Sequence, residues 1–144
     1  RFICPAGLFF HQTDRFPVLP EARAKGSPNQ WHLTAETAEP ATTARFLAVL
    51  VPHRAGEEPP PVEPFTGDGF IGAHVGDDVI LAPKTGVIGA ICAGKLEAEA
   101  AVVVVSGGKL FAAEATRVRA GAKTLIESEQ PVTVVRRAPR AALP

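Results

Sequence analysis

Six segments follow one another through the second half of the chain: HVGDDVILA, GVIGAICAG, EAEAAVVVVSGG, KLFAAEATRVRAGA, KTLIES and PVTVVRR. Gly-containing or charged breaks separate them about every 8 to 12 residues, the spacing of a β-sandwich or barrel. That punctuation constrains the fold more than any single motif does. LEAEAA and LFAAEATRVRAG are rich in helix formers. The run Val102 to Val105, and the alternation of Leu110, Ala112 and Glu114 against Phe111, Ala113 and Ala115, favour extended pairing instead. Gly107-Gly108 reads as a two-residue hairpin turn and Gly121 as a second tight turn. Fourteen prolines and thirteen glycines also argue against long helices. The expectation is an all-β fold, an antiparallel β-sandwich of short strands, with residues 1–144 forming a single domain.

In QWHLTAE, Trp31, Leu33 and Ala35 alternate with Gln30, His32, Thr34 and Glu36, the period-2 pattern of a strand with one buried face. This places the only tryptophan of the chain in the core, as a structural anchor burying ~150 to 250 Å², with the His32 imidazole on the opposite face. ARFLAVLVPHR, residues 44–54, is almost continuously apolar until Pro52 and reads as a short central strand covered on both faces. GEEPPPVEPFTGDG follows as a proline-rich loop. Histidines stand at 11, 32, 53 and 74, but FFHQTD, QWHLTA, VPHRAG and GAHVGD share no pattern, so the regular spacing is no repeat.

A chain of 144 residues fits one domain and can bury a core without a metal or disulfide staple. Fifteen Lys and Arg balance fifteen Asp and Glu. The first 72 residues hold 6 basic and 8 acidic side chains and the last 72 hold 9 and 7, so there is no concentrated basic footprint for nucleic acid. The apolar runs fall short of the ~20 residues of a membrane span, and a soluble domain is expected. Cys4 and Cys92 each sit in a strand-like apolar run, where buried free thiols are favoured over a bridge between them. The chain opens directly in RFIC with no secretory leader, and it contains no methionine. Both features suggest part of a larger chain.

Candidate chemistry is sparse. His11, Asp14 and His32 offer nitrogen and oxygen ligands for zinc, but a structural zinc site takes four and no compact ligand motif is visible. Ordinary strand and turn positions are the competing reading. Asp68, Asp77 and Asp78 lie beside glycines in TGDGF and VGDDV, where a calcium site is conceivable and Asx turns are favoured. Ser106-Gly107-Gly108 lacks the strand-to-helix setting of a nucleophile elbow, and GDGFIGAHVG lacks the GK[ST] of a phosphate loop. No catalytic triad can be assembled. Arg136, Arg137 and Arg140 read as a solvated basic tail.

The order of four pieces, GLFFHQTDRFPVLPE, NQWHLTAETAEPATTARFLAVLVPHR, GDDVILA and GKLFAAEATRVRAGAKTLIESEQPVTVV, resembles the C-terminal β-sandwich region of heparinase II/III-like polysaccharide lyases. The resemblance spans most of the chain. It rests on a strand ending in a VLVP-type proline, a Gly-Asp turn before an apolar strand, and a closing cadence of Gly, Leu, Arg and Pro. It implies a β-sandwich joined to an α/α toroid in one parent chain that cleaves uronate-containing polysaccharides by β-elimination. The toroid of such enzymes supplies the tyrosine that works with Asn or His, and this chain has no tyrosine. A β-domain histidine contributes in some relatives, and the resemblance assigns that role to no particular one of the four here. Some relatives hold zinc through His, Asp and His, and Asp14 and His32 are the residues that would carry this over, with the first ligand upstream.

The resemblance thus implies a supporting β domain without catalytic residues of its own and inactive in isolation. Its partners would be the toroid and an acidic polysaccharide, with no nucleic acid and no membrane. It would need no cofactor, although zinc could occur in the parent protein, and the location would be periplasmic or secreted. A carbohydrate-binding module and a purely structural or interaction domain are the other two classes. One Trp, no Tyr and eight Phe are poor material for a sugar platform.

Overall fold

The computed structural model describes residues 2–4, 7–14 and 31–137, and among them there are twelve strands and no helix. Every paired strand runs antiparallel to its neighbour. The all-β antiparallel expectation therefore holds. The chain divides into two compact units, residues 1–4 with 45–144 and residues 5–44, and each has its own ladder.

The described residues of the smaller unit form a two-stranded ribbon of β2 (Leu8–Thr13) and β3 (His32–Thr37), in register from Leu8 opposite Thr37 to Thr13 opposite His32. In the larger unit, β1 (Phe2–Cys4) pairs with the two-residue β4 (Leu47–Ala48). An eight-stranded sheet follows: β5 (Val62–Gly67), β6 (Phe70–Val75), β7 (Asp78–Pro83), β8 (Gly89–Ala93), β9 (Leu96–Ala100), β10 (Val102–Ser106), β11 (Lys109–Ala120) and β12 (Lys123–Arg137). Its order is β5-β6-β7-β10-β11-β9-β8, and β12 pairs with β11 as well.

Hairpin chemistry sets this order. Two-residue turns join β5 to β6, β6 to β7, β8 to β9, β10 to β11 and β11 to β12. At the β10–β11 turn both central residues are left-handed, Gly107 at φ 53° and Gly108 at φ 73°. That conformation matches strand twist and suits glycine. The two hairpin turns read from the sequence, at Gly107-Gly108 and at Gly121, are both present.

The two strands β9 and β10 run as one line along β11, interrupted at Ala101, whose amide donates to the Ala113 carbonyl at 3.0 Å. The ladder slips there, and β11 carries the extra residue at Glu114, the non-glycine residue with positive φ (49°) among those described. An L-residue in that region costs roughly 1–2 kcal/mol. The slip changes which side chains face inward. Leu110 and Ala112 are buried before it, and Ala115, Val118 and Ala120 after it. The expected row Leu110, Ala112, Glu114 therefore stops at Ala112: the bulge brings Ala115 inward in place of Glu114, and a second irregularity between Ala115 and Arg117 returns Val118 and Ala120 to the earlier phase.

The curled inner face holds one apolar cluster. Leu81, Ile91, Leu96, Val103, Leu110 and Val118 are fully buried, and Phe70, Val79, Val105 and Ile126 pack with them. Phe65, Leu125, Val132 and Val134 close its margin.

Three sequence expectations are corrected. The GEEPPPVEPFTGDG loop contains strand β5. Pro64 is tolerated in it because β5 is an edge, where a missing N–H removes no ladder bond on the open side. KTLIES and PVTVVRR are one strand, β12, and Pro131 sits within this second edge for the same reason. The supposed central strand over 44–54 pairs only at Leu47–Ala48. Val49 is buried, but Phe46 and Leu50 are exposed, since a ribbon that short offers no second neighbour.

Candidate functional site

The ribbon β2–β3 carries the residues that the sequence singles out. Cross-strand partners share a face, so the register puts Phe9, His11, Thr13, His32, Thr34 and Glu36 on one side, and Leu8, Phe10, Leu33 and Ala35 on the other. Trp31 stands immediately before β3, in phase with Leu33. The expected core tryptophan is 67% exposed, and Leu33, in the same row, is 57% exposed. His32, expected outside, is only half-buried. Alternation identifies which side chains share a face but not whether a second layer covers it, and a two-stranded ribbon has no such layer of its own. Phe9 and Phe10 are exposed as well.

The candidate metal ligands lie at one end of this ribbon. His11 and His32 share a face at diagonal positions, and Asp14 follows Thr13, the residue opposite His32. The described residues include no group of three or more His, Cys, Asp or Glu placed to hold a metal ion. Asp14 and His32 alone do not supply the donor set of a structural zinc site.

Asp68 lies in the β5–β6 turn, Asp77 in the β6–β7 turn, and Asp78 opens β7 opposite Val75. Cys92 is free and exposed rather than buried, because the alternation of β8 turns Ile91 and Ala93 inward. The side chain of Cys4 and residue Arg140 lie outside the described residues.

Two groupings were not read from the sequence. On β5 and β6 the Phe65 ring stacks on His74 at 4.6 Å and meets Phe70 edge-on at 5.9 Å, with Glu63 opposite His74 in the ladder. A loop reading of residues 56–69 hid this register. The second grouping is at the far end of β11. Arg136 and Arg137 are not a tail there but the last rungs of β12, opposite Leu110 and Lys109.

No protein-family model matches the chain, and neither a curated protein nor a solved structure is significantly similar to it.

Proposed function

We propose that this chain is a non-catalytic β domain that supports a heparinase II/III-like polysaccharide lyase, docking through ribbon β2–β3 onto the α/α toroid of the same parent chain. The observation that carries the reading is the exposed apolar set Phe10, Trp31 and Leu33 on one face of the two-stranded ribbon. Contiguous exposed apolar surface marks a place where another surface belongs, and a lone hairpin is marginal in water without packing. The order of motifs supplies the lyase part of the proposal, and the antiparallel all-β fold is compatible with it.

The chemistry assigned to the parent enzyme is removal of the uronate C5 proton with neutralisation of the adjacent carboxylate. A base and a neutraliser held in reach of one sugar are both required. In this reading they come from the toroid, and the β domain contributes stability and part of the cleft wall. The isolated chain should then produce no unsaturated uronate, followed by its ultraviolet absorbance, from heparan sulfate, hyaluronan, chondroitin or alginate. Joined to its toroid, it should do so on at least one of them. Turnover by the isolated chain would sink the proposal.

The exposure of Trp31 beside Phe10 and Leu33 also favours a second reading, a carbohydrate-binding surface, since an amphipathic aromatic plane can stack on a sugar ring. Saturable quenching of Trp31 emission by uronate oligosaccharides would select it.

A further inference from the structure

We infer that the end of the β10–β11–β12 ladder is a binding site for a divalent tetrahedral oxyanion, the phosphate or sulfate group of a small ligand. An open pocket of 460 Å³ lies there, lined by Gly107, Gly108, Lys109, Val135, Arg136 and Arg137. Half of the described lining residues are cationic, and no carboxylate side chain is among them. The chain as a whole is neutral, with fifteen basic and fifteen acidic residues, so this local excess is a property of the place.

The rest of β11 shows how this sheet ordinarily treats its cations. Arg117 faces Glu99 on one side and Glu127 on the other, and Arg119 faces Glu97, with Nη1 to Oε2 at 3.8 Å. At the opposite end Lys109 stands directly across from Arg137 and is flanked by Ser106. Like charges facing each other across a ladder repel. Arg136, opposite Leu110, belongs to the other face of the ladder and turns its Nη1 onto the neighbouring Val135 carbonyl at 3.1 Å, so Lys109 and Arg137 are the cations that face the ligand together. A bound dianion would relieve this repulsion.

Ligand class follows from the donors. Guanidinium groups present paired N–H donors matched to oxyanion edges, and an ammonium adds a point charge. Two cations facing each other across the ladder complement a dianion better than they do a single carboxylate. The two left-handed glycines of the turn leave the approach open, since a Cβ added at either position would meet nothing within 4 Å. Val135, 55% exposed, offers an apolar wall for the body of the ligand. The site is built entirely within the β5–β12 sheet and does not depend on the ribbon or on the lyase reading.

The test is a titration of the folded chain with inorganic phosphate at constant ionic strength, followed by the amide resonances of Gly107 and Gly108, with Gly121 at the other hairpin turn as internal control. Saturable shifts at the first two glycines alone are expected. The variant Lys109→Gln/Arg137→Gln should weaken binding at least about tenfold, and Lys109→Arg should keep it. Both substituted side chains are exposed, so the variants should fold, which the Gly121 resonance reports. A sugar phosphate and the sulfate ester of the same sugar, titrated separately, identify which source of the oxyanion binds more tightly. Shifts that chloride reproduces at equal ionic strength, that acetate produces with equal affinity, or that survive in the double Gln variant would overturn the inference.

Discussion

Gly72→Ala tests how the inner face is packed where β5 meets the core. A Cβ at this position would lie 2.7 Å from the Ile80 carbonyl oxygen, 2.9 Å from Leu81 Cδ2 and 2.9 Å from Phe65 Cζ. All three approaches are shorter than real Cβ contacts allow. The two side-chain atoms can move, but only by disturbing the Phe65 ring that stacks on His74 and a Leu81 that has no exposed surface. The carbonyl belongs to β7, whose ladders to β6 and β10 hold it on both sides. Overpacking of this kind costs about 1–3 kcal/mol. Against it, alanine reduces the freedom of the unfolded chain and returns about 0.4–1 kcal/mol. The collision wins, with a net loss of about 1–2 kcal/mol. For a chain near 150 residues that is a fall in Tm of roughly 3–8 °C. Urea denaturation should show a lower midpoint at unchanged slope, and the ring-current shifts around His74 should change. A variant as stable as the parent, with those shifts intact, would show that Phe65 does not lie over Gly72 and that β5 is wrongly placed.

Leu81→Ala empties the centre of the same cluster and should cost about 3–5 kcal/mol in chemical denaturation; a loss under about 1 kcal/mol would mean the inner face is not a close-packed core. Glu114→Gly removes the left-handed strain at the bulge while keeping its amide bond to Thr133 Oγ1 at 3.3 Å. It should raise stability by about 0.5–1 kcal/mol, and a loss would show that Glu114 is not left-handed in solution. Trp31→Ala should change stability by no more than about 0.5 kcal/mol, as for a surface position, and a cost of several kcal/mol would restore the buried-anchor reading. Metal analysis of chain purified without chelator should find well below one zinc per chain, and stoichiometric zinc lost on mutating Asp14 or His32 would establish the site.

Fold class was legible because turn chemistry and period-2 patterning are local. Gly107-Gly108 and the Val102 to Val105 run specify a hairpin without help from the rest of the chain. Features that depend on partners were not legible. Pro64 and Pro131 suggested breaks because nothing local says that their strands would be edges. Glu114 looked like one more rung of an alternation, since the slip at Ala101 that makes it a bulge is set by pairing with a different strand. Trp31 had the pattern of a core residue, and period-2 alternation alone does not say whether a second layer covers the face it marks. The cationic pocket was hidden for the same reason, since Lys109 and Arg137 are 28 positions apart in the sequence and meet only through the β11–β12 register.

Hydrogen–deuterium exchange of β2 and β3, measured in the isolated chain and in the chain joined to the α/α toroid proposed for its parent, tests the proposed docking of the ribbon most directly. We expect fast exchange across Leu8–Thr13 and His32–Thr37 in the isolated chain and marked protection of the same amides in the joined protein, with uronate oligosaccharides adding none to the isolated chain. Equal exchange in both forms would contradict the proposal that this ribbon is where the domain meets the rest of its enzyme.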